Sequence, residues 1–313
     1  MANSNSLFQT FNTNISLSQG KKDKMKNSKT ALRERVRKYF KEYHPGYVPK
    51  FYIQGSYKMK TAIRTKEDIC DLDDGIYFFR QPDVTATTLQ TWVRDAVDGH
   101  TETSPEHRKK CIRNIFVKDY EIDNPVYYKV DGREYQLAVK NNGWENSDPK
   151  AMVDWFNGKK DANGILLKIV KDLKAWCDYK RNKMPSGLAM TILASNAKSK
   201  ISYSKDRDDI SLRDTLKEIK KTLDWKFECI VPAIPNDDLF ADYDNTRKTN
   251  FLNALTAFIE DADKALLEKN KLKASKLWQK HLGDRFPDGE DKDEDNAALG
   301  GLVSIAKKSQ PYS

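Results

Sequence analysis

The spacing of apolar and polar positions changes character once along this chain, and the change separates two regions. After a polar leader, residues 28–43 set Leu32, Val36, Tyr39 and Phe40 at helical spacing with basic residues largely between them. This predicts a long amphipathic helix at the start of the fold. Between Tyr47 and Tyr135 the pattern becomes short runs rich in β-branched and aromatic residues, at 51–53, 75–79, 115–117, 120–128 and 134–139. These predict sheet strands, with a helix near residues 87–97 among them. From Pro149 onward helical periodicity takes over, in 151–156, 164–180, 187–196, 211–223 and 248–269. The stretch 284–296, DRFPDGEDKDEDN, is acidic and short of apolar residues, which predicts a flexible tail beyond it. The expected organisation is α+β: residues 1–160 as the long helix and sheet core, 161–285 as a helical lobe, and 286–313 as the tail.

Composition narrows the setting more than the activity. The 313 residues are 38% hydrophobic, enough for a real core. No apolar run approaches the roughly 18 residues that span a bilayer, and the opening lacks the layout of a secretory signal, so a cytoplasmic protein without a membrane role is expected. The cysteines Cys70, Cys111, Cys177 and Cys229 lie far apart with no CxxC pair, which predicts reduced thiols and no zinc site. A net charge of +9 suits a polyphosphate ligand or nucleic acid without choosing between them.

The chemistry concentrates in residues 54–79, QGSYKMKTAIRTKEDICDLDDGIYFF. A strand runs into Gly55-Ser56, where a glycine lets the backbone approach phosphates and a serine hydroxyl and free N–H groups at a helix start can bind their oxygens. Gln54 before this turn and Lys58 after it join the candidate substrate-binding residues. Asp71 and Asp73 follow at i and i+2 in a predicted strand, so both carboxylates leave one face, and Asp74 leaves the other. Two adjacent carboxylates repel unless a cation sits between them, and Mg²⁺ is the natural choice, with Mn²⁺ as an alternative. A third carboxylate is expected from YEIDNPVY: Asp123 is the best candidate, and Glu121, on the same face, is the substitute. Asn124 follows, where an apolar residue would suit a buried strand better.

The order of strand, Gly-Ser and Asp-x-Asp resembles the polymerase-β-like nucleotidyltransferase superfamily. In finer detail, GSYKMKTAIRT with DLDDGIYFF, YEIDNPVY, SDPKAMVDWF, and LLKIVKDLKAWCDYK followed by PSGLAMTILAS resemble the bacterial cGAS/DncV-like nucleotidyltransferases, signal synthases of anti-phage defence. The resemblance implies that Asp71, Asp73 and Asp123 bind two Mg²⁺ ions and that Gly55 and Ser56 grip the donor triphosphate. It further implies that Lys174 and Ser186 contact that triphosphate from the helical lobe, across a cleft between lobe and sheet. Implied substrates are purine nucleoside triphosphates, joined into a cyclic dinucleotide such as cyclic di-GMP, cyclic di-AMP or cyclic GMP-AMP. A monomer is expected, with a downstream effector that senses the product, for example a STING-like receptor. DNA activation is not implied, since the zinc-binding insertion of the animal DNA-sensing synthase is absent. The alternatives are linear oligonucleotides, cyclic trinucleotides, or a nucleotide- or RNA-binding scaffold on the same fold.

Overall fold

The polar leader is itself helical. In the computed structural model, which describes residues 2–181 and 183–293, α1 spans Asn5–Ile15 and buries Leu7, Phe8, Phe11 and Ile15, a stripe too sparse to stand out among its polar neighbours. The expected helix at 28–43 is the second half of α2, Gln19–Tyr43, whose N-terminus is set by Ser18: its side chain accepts a hydrogen bond from the Lys21 amide at 3.2 Å. The sheet region then supplies β1 Lys50–Gln54, α3 Gly55–Met59, β2 Asp71–Phe78, α4 Ala86–Val97, β3 Glu106–His107, β4 Ile112–Phe116, β5 Tyr120–Asn124, β6 Val126–Tyr128, β7 Gln136–Val139 and β8 Gly143–Asn146. The predicted strand at 120–128 is divided into β5 and β6 at Pro125, which has no N–H to give to a ladder. Helices α5 Pro149–Lys159, α6 Ile165–Lys180, α7 Gly187–Lys198, α8 Asp208–Trp225, α9 Asn245–Leu267 and α10 Lys271–Leu282 complete the described chain.

Strand β2 organises the mixed eight-stranded sheet. It pairs antiparallel with β1 along one edge and parallel with β5 and then β6 along the other. Its even-numbered side chains, Leu72, Ile76 and Phe78, join Leu32, Val36 and Phe40 of α2 and Leu89 and Val93 of α4 in one core. A smaller cluster, Tyr77, Tyr127, Leu137 and Val139, lies apart from it.

By its contacts the chain forms two units, and their boundaries differ from the expected ones. One unit contains residues 16–159 together with 230–239, the latter tied in by the Asp148 amide, which donates to the Ile234 carbonyl at 3.0 Å. The other contains residues 160–229 and 240–293 together with residues 2–15, which sequence reading had placed with the sheet. The reason is aromatic packing: Phe8 meets Trp278 and Phe286 edge-on, each at 4.9 Å between ring centroids.

The acidic stretch is also corrected as far as it is described. Phe286 is fully buried, the Gly289 amide donates to the Ser275 hydroxyl at 2.9 Å, and Asn270 donates to Asp291 at 2.8 Å. Residues 286–293 of the expected tail therefore pack against α10. The remainder of the predicted tail lies outside the described residues.

Candidate active site

Gln54 is the last residue of β1 and caps α3, so the chain turns directly from a strand into Gly55-Ser56. Gly55 has φ +61°, and a Cβ there would stand 2.0 Å from Oδ2 of Asp73. The position therefore requires glycine twice over, for its left-handed backbone and for the carboxylate lying against it. The β1–β2 pairing sets this closeness, since it places Gln54 opposite Asp73.

The parallel ladder between β2 and β5 aligns Asp71 with Glu121, Leu72 with Ile122 and Asp73 with Asp123. Because side chains alternate along a strand, Asp71, Asp73, Glu121 and Asp123 project from one face, and Leu72 and Ile122 from the other. Asp74 also lies on the opposite face, fully buried, with Oδ2 accepting from Nε of Arg33 on α2 at 2.7 Å and Oδ1 paired with the same guanidinium. Asn124 is buried for a specific purpose. Its side chain donates to the Asp74 carbonyl and accepts from Asn114, both at 2.9 Å, so an amide pins β4, β5 and β2 together.

Arg113 on β4 is the residue that sequence reading missed. Its Nε and Nη2 donate to the two carboxylate oxygens of Asp123, each at 2.7 Å, and its Nη1 pairs with Glu121. Desolvation works against the Arg113 charge, but the hydrogen bonds and charges of Asp123 and Glu121 outweigh it and raise its pKa. For Glu121 burial dominates and raises the carboxyl above its ordinary range, with Arg113 opposing and Asp123 adding. Burial also pushes the neighbouring Cys111 thiol up to about 12, with the Asp123 charge contributing. The one available signal was an arginine two residues before a predicted strand, and its partner depends on the β4–β5 register, Arg113 opposite Asp123.

The donors here fit a divalent metal ion in kind: hard carboxylate oxygens on neighbouring strands of one face. Asp71 and Asp73 carry that fit most directly. Among the described residues no three His, Cys, Asp or Glu side chains converge on a single point, and Arg113 engages both oxygens of Asp123.

Gln54 also has a structural role. Its side-chain amide is buried between two tyrosines, donating to Tyr127 Oη at 3.0 Å and accepting from Tyr77 Oη at 2.8 Å, with the two rings stacked at 4.6 Å. Gly75 makes room for it, since a Cβ there would stand 2.6 Å from Gln54 Oε1. Gln54 thus holds the Gly55-Ser56 turn from behind. Lys58 is exposed on α3 and lines, with Arg33, Tyr52, Gln54 and Lys150, a cavity of about 440 Å³. Lys174 and Ser186 belong to the other unit and lie near one another there. The Lys174 stem passes 3.1 Å from where a Gly187 Cβ would stand, and the Ser186 hydroxyl caps α7 by accepting from the Ala189 amide at 3.2 Å.

Residues 49–127, which carry the turn and all four carboxylates, match the family model described as "Cyclic GMP-AMP synthase DncV-like, nucleotidyltransferase domain". That stretch is similar to the nucleotidyltransferase domain of the DncV-like synthases. A cyclic GMP-AMP synthase of Escherichia albertii is 30% identical over 164 residues, 47% of this chain and 36% of that protein. A cyclic AMP-AMP-AMP synthase of an Acinetobacter species is 23% identical over 256 residues, 75% of this chain and 72% of that protein. The chain thus spans little more than a third of the length of the first of these relatives. Its fold also matches the crystal structure of Vibrio cholerae DncV cyclic AMP-GMP synthase, with a TM-score of 0.80 at 19% identity over 91% of this chain and 98% of that one. Among the described residues, no helix is long and apolar enough to cross a membrane.

Proposed function

We propose that the protein transfers nucleotidyl groups between purine ribonucleoside triphosphates, releasing pyrophosphate, and closes the product into a cyclic dinucleotide used as a signal in anti-phage defence. The observation that supports this best is the registered alignment of Asp73 with Asp123 across β2 and β5, with Gly55 of the Gly-Ser turn packed against Asp73. The relatives' names support cyclisation; the carboxylates alone would serve any acceptor hydroxyl.

The reaction asks for an attacking ribose hydroxyl, a gripped triphosphate and an in-line leaving pyrophosphate. Ser56 and the first amides of α3 bind phosphate oxygens, since the opening N–H groups of a helix have no partners within it. The Tyr77–Gln54–Tyr127 contact keeps that turn from shifting as the charged ligand arrives. Arg113 orients Asp123 and balances the charge that Asp123 and Glu121 place on one face. Asp71, Asp73 and Asp123 would hold Mg²⁺ or Mn²⁺, which lowers the pKa of the attacking hydroxyl and offsets charge on the triphosphate. Lys174 and Ser186 are proposed to bind the same triphosphate.

A cyclic trinucleotide is the second reading, favoured by the longer match, 256 residues, to a cyclic AMP-AMP-AMP synthase. Incubation with all four nucleoside triphosphates and Mg²⁺ or Mn²⁺, followed by phosphatase and mass spectrometry, separates these products. A phosphatase-resistant mass of two or three linked nucleotides is expected, and its loss in Asp71→Asn/Asp73→Asn. Products that all lose terminal phosphate to the phosphatase would point to linear synthesis, and no consumption of triphosphate would overturn the reading.

A further inference from the structure

Lys21, in the first turn of α2, is almost completely buried, with its side chain only 7% exposed. A buried ammonium is costly unless its three donors are met, and here four acceptors surround it. Nζ donates to the carbonyl of Asp68 and, at 3.0 Å, to the carbonyl of Asp119, and it pairs with the carboxylates of the same residues at 3.2 Å and 3.3 Å. These residues sit just before the two strands that carry the catalytic carboxylates: Asp68 before β2, which opens on Asp71, and Asp119 before β5, which leads to Glu121 and Asp123. Between the two turns, the Glu121 amide donates to the Cys70 carbonyl at 2.9 Å.

The same face of α2 continues the contact. Cys70 lies against Met25, one helical turn on from Lys21, and Tyr120 shares a 2.7 Å hydrogen bond with Ser28, a further turn along. Lys24 also reaches Asp119, at 2.9 Å, but it is 67% exposed and touches only that turn. Lys21 is the side chain that grips both.

We infer that Lys21 is a positioning residue: by clamping the turns that enter β2 and β5, it fixes the offset of those strands and hence the spacing of Asp71 and Asp73 from Asp123. It touches neither substrate nor metal and acts only through the backbone it holds. The inference rests on the proposed nucleotidyl transfer for its kinetic consequence, and on the geometry alone for its structural one.

The test compares Lys21→Met, Lys21→Arg and Lys24→Met with the full-length wild type. It reads kcat and KM for nucleoside triphosphate by pyrophosphate release, and amide hydrogen exchange by mass spectrometry. Lys21→Met is expected to lower kcat at least tenfold with KM changed less than about twofold, and to speed exchange at residues 68–73 and 119–123 together while the rest of the sheet stays protected. Lys21→Arg should recover most of kcat, and Lys24→Met should resemble wild type. Unchanged kcat in Lys21→Met overturns the inference. So does faster exchange at only one of the two turns, or a uniform rise across the sheet, which would mark a merely structural lysine. If the wild type consumes no triphosphate, the exchange measurement still decides the clamp, and only the proposed function fails.

Discussion

Gly55 admits no side chain, because the carboxylate of Asp73 already occupies the space one would need. Gly55→Ala must displace that carboxylate or the turn, and misplacement by about 1 Å near reacting groups costs on the order of 100-fold in rate. A loss of about that size is expected by pyrophosphate release, with an unchanged circular dichroism spectrum; activity within a fewfold of wild type would show that the turn is not where phosphate is held. Asp172 of α6 poses a different question, since it is buried and desolvation raises its pKa well above 3.8, reinforced by Asp208 and opposed by Asn12, Lys171 and Lys168. Its folded form keeps a proton that the unfolded chain releases first. Stability from this group is therefore fully present below about pH 4 and declines as pH rises towards the folded pKa. Melting temperatures of Asp172→Asn and wild type, compared from pH 4 to 8, should diverge with rising pH in favour of the variant, and parallel curves would contradict this. At this scale the sequence was legible where one residue's own geometry decides: Gly55, and the shared face of Asp71 and Asp73. It was not legible for Arg113 or Lys21, whose roles exist only once β4 lies against β5 and α2 against the strand entries.

Helix α2 serves the sheet at several places along its length, and Arg33 is the one whose loss is simplest to measure. The guanidinium is the charge partner of the fully buried Asp74, directly beside Asp73 on the same strand. Arg33→Met leaves a buried carboxylate without its cation, a change that costs about 3–5 kcal/mol. A denaturant midpoint lowered accordingly, and partly restored in Arg33→Met/Asp74→Asn, is the expected result; no shift would mean that Asp74 has a second partner of equal weight. At the level of elements, period-two and helical spacing found most strands and helices. They missed α1, whose apolar stripe is sparse, α10, and the short strands β3 and β8, and they ran β5 and β6 together, since only the proline divides one otherwise continuous pattern. Asn124 looked out of place for a buried strand because its use, pinning β4 and β2, is tertiary.

Across the molecule, the division into units follows packing instead of chain order. The helical unit takes its first helix from residues 5–15 and its last from residues 271–282, and Phe8 is the contact that joins them. Phe8→Ala should cost about 3–5 kcal/mol, as for other buried aromatic truncations. Limited proteolysis should then cut the helical unit first while residues 16–159 remain resistant. Equal resistance in both units would deny Phe8 this closing role. The sequence could not disclose the arrangement, because nothing in a short N-terminal helix names its partner at the far end of the chain.

That partnership also sets a schedule for synthesis. Phe8 and Phe11 leave the ribosome well before Trp278 and Phe286, against which they pack. At usual translation rates the wait is on the order of tens of seconds. Throughout that time α1 presents unburied aromatic rings while the sheet unit, complete but for a short segment, can already fold. The nascent α1 is therefore where a chaperone would find this protein exposed.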